Sequence, residues 1–169
     1  MGLVDAFVQE LEQEGKTTRR MLERVPADKF AWQPHAKSMS LGQLALHIAQ
    51  SPGFICGWAL DDTTDFGGGV QQPPPKTTED VLTAHDASIA RAREILLKLG
   101  DTGLEKMWSA QAKGATLMTM PKTSLVRSIV MNHLVHHRGQ LSVYLRLLDV
   151  PVPSIYGPSA DENPFAKPA

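Results

Sequence analysis

Three histidines lie close together near the end of the chain, at positions 133, 136 and 137. On an α-helix, residues four positions apart project from the same side, about 5–6 Å between Cβ atoms. His133 and His137 could therefore hold one metal ion between their ring nitrogens, at ~2.0–2.1 Å from each. Zinc proteases use the same spacing with a Glu after the first His, but Leu134 occupies that position here. The spacing indicates a metal site and argues against a protease.

A helical wheel separates the three side chains. Val126, Val130, Gln140, Tyr144 and Leu148 define the inward face of this helix, with His133 and His137 in its middle. His136 lies roughly 90° from the centre of that face. Burying two imidazoles without partners costs several kcal/mol, so the pair is expected either to be hydrogen-bonded within the core or to share a metal ion.

A third ligand must come from another helix. His47 lies at the flank of an apolar stripe in the second helix, and His85 lies centrally on the stripe of the third. Spacing alone does not choose between them. His35, in a proline-containing connector, is a weaker candidate and is expected at the surface.

Apolar residues at three- and four-residue steps predict four amphipathic helices. The first starts near Leu3 and is stopped by Pro26. The second covers about 41–58, with a capping box from Ser40 and Gln43 and a kink or early end at Pro52. The third runs from Thr78 to a C-cap at Gly100, and the fourth covers about 123–148. Four such helices predict an all-α, four-helix bundle.

The remaining segments are connectors. The glycine- and proline-rich stretch 61–77 is expected to be a crossover or a lid, and 101–121 to hold a short hairpin or irregular turns. We therefore divide the chain into a bundle, 1–150, and a proline-rich tail, 151–169, which we expect to be extended and partly mobile.

Composition excludes several functions. With 17 basic and 18 acidic residues and no basic run, the chain lacks the clustered positive charge that nucleic-acid binding requires. It has no apolar run approaching the ~20 residues of a membrane span. We expect no secretory signal, because the first ten residues contain two acidic residues and no basic segment. A single cysteine, Cys56, fits a reducing compartment. We expect a cytoplasmic protein without nucleic-acid or membrane partners, whose Cys56 is buried and inert.

Two segments carry a resemblance to a known family. The sequence NHLVHHRGQL at 132–141 resembles the fourth-helix signature of the DinB/YfiT-like superfamily, and SLGQLALHIA at 40–49 resembles its second-helix motif. Trp32 and Pro34 also fit that pattern. The resemblance extends over about residues 1–148, and the tail shows no motif that matches.

The resemblance implies a bundle with up-down-down-up helix order and a divalent ion held by His47, His133 and His137. It thus selects His47 over His85. It implies a metal-dependent hydrolase or a low-molecular-weight-thiol-dependent transferase acting on a small molecule, and a homodimer. We expect zinc or nickel ahead of iron or manganese. The alternative is a non-enzymatic metal-binding or stress-response protein with a vestigial site.

Four further residues are weighed beside the histidines. Gln140 could hydrogen-bond a ligand imidazole. Arg138 is expected to form a salt bridge to another helix rather than bind an anionic substrate. For Trp58 and Trp108, core filling is favoured over lining a pocket.

Overall fold

The computed structural model describes residues 2–67 and 73–166, and its main elements are four long helices. Helix α1 spans Leu3–Leu22, α2 spans Leu41–Trp58 and α3 spans Thr78–Leu104. The fourth helix, α4, has three consecutive parts: an α-helical turn at Lys122–Ser124, a π-helical segment at Leu125–Met131 and an α-helix at Asn132–Leu147. A 3₁₀ turn at Ala27–Lys29 lies in the first connector. The predicted four-helix bundle is confirmed.

Contacts along α1 show that α3 runs antiparallel to it. At the start of α1, the backbone N–H of Val4 donates to Asp101 near the end of α3, at 2.8 Å. At the other end, Arg19 of α1 pairs with Asp86 in the first half of α3, at 3.1 Å.

Contacts between helices also give the directions of α4 and α2. Arg127 pairs with Glu10, and Arg138, further along α4, pairs with Glu14, further along α1, so α4 runs parallel to α1. The hydroxyl of Ser88 in α3 donates to the carbonyl of Gln50 in α2. Further along both helices, Arg91 lies against Gly57. Because α2 therefore runs parallel to α3, the helix directions in chain order are up, down, down and up.

The helix ends follow local sequence signals. Ser40 and Gln43 form the predicted capping box of α2, and Thr77 and Asp80 form another at the start of α3. Gly100 leaves the helical conformation with φ 61°, where glycine is favoured, and one further turn completes α3. The early end allowed at Pro52 is wrong, because α2 continues through this proline to Trp58.

The second half of the chain also contains a small sheet. Strand β1 is Thr63–Asp65, β2 is Met107–Ala112 and β3 is Ala115–Pro121; β1 pairs parallel to β2, and β2 pairs antiparallel to β3. Lys113 and Gly114 both have positive φ, 51° and 78°, as a two-residue type I′ hairpin requires. Within segment 101–121, the last turn of α3 ends at Leu104, and residues 107–121 form the hairpin rather than irregular turns.

Segment 61–77 connects two parallel helices and is therefore a crossover. Its first part contains β1, which lies against the hairpin through Thr64 Oγ1, an acceptor for the indole N–H of Trp108 at 3.0 Å. The lid role that the sequence allowed falls partly on residues 68–72, outside the described residues.

Two apolar clusters fill the bundle. One gathers around Leu11, Leu96 and Trp108, and the other around Leu22, Leu44 and Leu141. Cys56 is fully buried in the first cluster, and burial raises the pKa of its thiol to about 12. The expectation of an inert cysteine agrees with this environment. Within residues 2–67 and 73–166, no helix has the length and apolar character needed to cross a bilayer.

The tail is tied to the bundle over much of its length, although the sequence predicted partial mobility. Glu162 pairs with Arg20 of α1 at 2.5 Å, and Asp161 pairs with Arg146 of α4. The Tyr156 hydroxyl donates to Glu14 at 2.8 Å and accepts from Arg138. Sequence patterns did not reveal these contacts because the tail has no regular periodicity.

The salt bridge expected for Arg138 is present and buried. Its guanidinium, 2 % exposed, lies 2.7 Å from Glu14 and also donates to the hydroxyl of Thr18 at 3.1 Å. Removing one partner of a buried pair leaves the other charge without compensation in the low-dielectric interior. Any rotation of α4 that separates Arg138 from Glu14 would carry the same cost, so the pair opposes rotation of α4 against α1.

Replacing Glu14 should destabilise the fold far more than replacing its exposed counterpart Glu10, which pairs with Arg127 between the same two helices. We expect Glu14→Gln to lower the free energy of unfolding by about 3 kcal/mol, and Glu10→Gln by less than ~1 kcal/mol. Urea denaturation of both variants measures the difference. Equal losses would show that the Arg138 pair is no more important than a surface contact.

Candidate metal centre

The π-helical segment determines which side of α4 carries the histidines. A π-helix has more residues per turn than an α-helix, so the buried face moves by one position after it. Buried positions in the following α-helix are Leu134, Arg138, Leu141 and Leu145. The wheel, which assumed one continuous α-helix, wrongly placed His133 and His137 in the middle of the buried face. They lie at its edge, half-buried, and Gln140 is exposed.

The structure brings His47, His133 and His137 together. Their ring nitrogens lie within 4.8 Å of one another. The Nε2 atom of His133 is 3.4 Å from Nε2 of His47 and 3.0 Å from Nε2 of His137. The first ring comes from the flank of α2, where the sequence placed it, and the other two come from consecutive turns of α4.

These separations suit a shared ion. Two nitrogens at ~2.0–2.1 Å from one tetrahedral ion lie roughly 3.4 Å apart. The side chain of Gln140 adds orientation, because its Oε1 lies 2.7 Å from Nδ1 of His137. An amide oxygen only accepts hydrogen bonds, so Nδ1 of His137 carries the proton and its Nε2 presents a lone pair to the cluster. Gln140 thus hydrogen-bonds an imidazole, as the sequence allowed, although its side chain is exposed rather than on the buried face.

The environment keeps the three imidazoles neutral. Burial, followed by the neighbouring His137, His47 and His136, lowers the pKa of His133 to about 4. Burial is also the main cause that lowers the pKa of His47, with His137 next. For His137 burial lowers the pKa and the Gln140 hydrogen bond partly opposes it. Since metals bind neutral imidazole, the cluster is in a state that can accept an ion at neutral pH.

The remaining histidines lie outside the cluster. His136 is exposed, with its ring centroid 4.8 Å from that of His137. His85, the alternative third ligand, is buried in α3, and its Nδ1 lies 3.3 Å from Asp86. His35 is exposed in the connector, as expected, and its Nδ1 accepts the N–H of Lys37.

A pocket of about 730 Å³ opens beside His47 and His133. Trp58 lines it, although the sequence favoured a core role, while Trp108 is fully buried and stacks on Trp58 with centroids 6.0 Å apart. Sequence reasoning did not identify the pocket wall formed by α2, which includes Gln50 and Phe54. Their spacing held the signal, because positions 47, 50, 54 and 58 share one helix face.

Comparison with known proteins agrees with this architecture. The chain is 26% identical over 160 residues to the uncharacterized protein YrdA of Bacillus subtilis, covering 94% of this chain and 91% of that one. Among solved structures, a DinB-like protein of Bacillus cereus is similar with a TM-score of 0.72 and 21% identity, over 90% of this chain and 97% of that chain. The DinB-like protein YjoA of B. subtilis gives a TM-score of 0.68 and 19% identity, over 86% and 95%.

The family model describes the same region. It is the model of the DinB family, and it matches residues 1–164, which include the four helices and most of the tail. The bundle, the histidine motif of α4 and the two similar solved structures all agree with that match. This chain belongs to the DinB family.

Proposed function

We propose that the protein binds one divalent metal ion through Nε2 of His47, His133 and His137. The observation that supports this most directly is the approach of the three nitrogens, 3.0 and 3.4 Å apart, at the edge of a pocket. Three neutral imidazoles are a donor set that zinc and nickel accept readily, and iron also binds. Three protein ligands leave a coordination position for substrate, as in catalytic rather than structural sites.

The proposed activity is metal-dependent hydrolysis, or transfer that depends on a low-molecular-weight thiol, on a small organic molecule. A bound divalent ion would supply Lewis acidity and lower the pKa of a water or thiol. Among the described residues, those lining the pocket include no carboxylate, so we assign no general base. Gln140 orients His137, and the apolar wall around Phe54 would exclude water once a substrate fills the pocket.

Assembly and location complete the proposal. We propose a cytoplasmic homodimer that has small-molecule rather than nucleic-acid or membrane partners. These points rest on the resemblance and on the composition of the chain. Light scattering at micromolar protein concentration tests the dimer directly.

Metal titration distinguishes the proposed ligands from their neighbour. We expect His137→Ala to weaken zinc and nickel binding by more than about 100-fold, the upper range for losing a group that only supports a ligand. His136→Ala should change it by only a few-fold, because that side chain is exposed and outside the cluster. Competition with a chromophoric chelator measures both variants.

Equal losses in the two variants would contradict this ligand set. Tight one-to-one metal binding without turnover of any substrate would instead favour the alternative of a vestigial, non-enzymatic site.

The pH dependence of stability should reveal the neutral imidazoles. The pKa of unfolded histidine is ~6.5, whereas burial lowers the pKa of folded His133 to about 4. Between these values the unfolded state binds more protons, so the free energy of unfolding of chelator-treated protein should fall as pH decreases from 6.5 to 4. Bound metal should raise the melting temperature at pH 7.5, by mass action, and this gain should shrink towards pH 4.

The matched control is His133→Gln, which removes the group with the most strongly lowered pKa. In this variant the decline in stability between pH 6.5 and 4 should be flatter than in the wild type. A decline of the same steepness would mean that other groups cause the pH dependence.

A further inference from the structure

The charge of the pocket wall limits which ligands the pocket can hold. Among the described residues, none of those lining it is Asp, Glu, Lys or Arg. The polar side-chain groups of these lining residues are amides, a hydroxyl, imidazoles and an indole N–H, those of Gln43, Gln50, Ser51, the two histidines and Trp58. Burying an unpaired charge costs far more than burying a neutral group. Away from the histidines, the pocket therefore disfavours a charged ligand.

Aromatic rings form the side of the pocket that lies away from the histidines. Trp58 makes edge contacts with Phe54 and Phe66, with ring centroids 5.6 and 4.8 Å apart. Phe54 is 42 % exposed and Phe66 39 %, so both rings present apolar surface to an incoming molecule. Such rings favour an aromatic partner in an edge or offset arrangement.

Gln50 adds a directional feature to this wall. Its Oε1 is buried and accepts no hydrogen bond from the described residues. The equivalent atom of Gln43, on the same helix, already accepts the backbone N–H of Ser40 at 2.8 Å. A buried acceptor without a donor is costly. Because Gln50 lines the pocket, a change of its side-chain rotamer would bring this oxygen to a ligand N–H or O–H and remove the cost.

We propose that the pocket binds the uncharged, aromatic part of a small organic substrate, and that Gln50 selects molecules carrying an N–H or O–H donor there. The inference rests on the proposed function, since the pocket opens beside His47 and His133. It narrows the substrate class: phosphate esters and other anions would be disfavoured except where the ion itself binds them. The volume of about 730 Å³ is in the range of small-molecule sites.

Three matched fluorescence probes test this on chelator-treated, full-length protein. N-phenyl-1-naphthylamine is uncharged and has one N–H, 1-phenoxynaphthalene replaces that N–H by an ether oxygen, and 8-anilino-1-naphthalenesulfonate adds a negative charge. We expect the amine to bind at one site. The ether should displace it with about fivefold weaker affinity, the effect of one hydrogen bond, and the sulfonate should bind at least about tenfold more weakly.

Variants locate the effect. Gln50→Leu should remove the difference between amine and ether, whereas Gln43→Leu should keep it, because Oε1 of Gln43 is already satisfied. Phe54→Ala should weaken all three probes and so place them in the pocket. If a variant does not fold, the relative affinities of the three probes for the wild-type protein still test the inference.

An ether that binds as tightly as the amine, or a sulfonate that binds as tightly as either, would overturn the inference, and so would an amine that does not bind. Because the protein is metal-free in this experiment, these results do not depend on the metal ligands. Loss of metal binding with the probe pattern intact would refute the proposed function alone.

Discussion

Three imidazoles in contact at the boundary between α2 and α4 are the interaction on which this structure depends. Their Nε2 atoms approach to 3.0 and 3.4 Å, and burial holds their pKa values low. Nδ1 of His137 carries its proton, so the lone pair on its Nε2 faces Nε2 of His133. A hydrogen bond from His133 would engage that one lone pair, whereas an ion would engage one lone pair from each of the three rings. A divalent ion at the centre would bind all three rings at once, and this is the physical basis for proposing a metal.

The bundle is constructed to keep these rings in place. The π-helical segment moves the histidines of α4 to the edge of its buried face, toward His47 and the pocket. Directly after His137, the side chain of Arg138 points into the bundle and is fixed by Glu14, Thr18 and Tyr156. A helix held in this way on its buried side cannot rotate freely, so the two ligand candidates at the edge of that side keep their positions relative to α2.

Local signals predicted much of this from sequence, and tertiary features explain the rest. Periodicity and the Ser40 cap predicted the helices, and the spacing of His133 and His137 predicted a pair on one side. Spacing could not choose between His47 and His85, because which two helices meet is a property of the whole bundle; the family resemblance made that choice. The π-helical segment has no periodic signature, so the wheel misplaced the buried face by one residue. Tail contacts such as that of Tyr156 join residues distant in sequence and left no local pattern.

The central claim is that one ion occupies the point where the three imidazoles meet. Its most direct test is an anomalous-difference map, recorded at the absorption edge of the metal found by elemental analysis, from protein purified without a nickel resin. The account predicts one peak at ~2.0–2.3 Å from Nε2 of His47, His133 and His137 together. Metal-loaded crystals with no peak there, or with a peak bound by His85 or His136 instead, would contradict it.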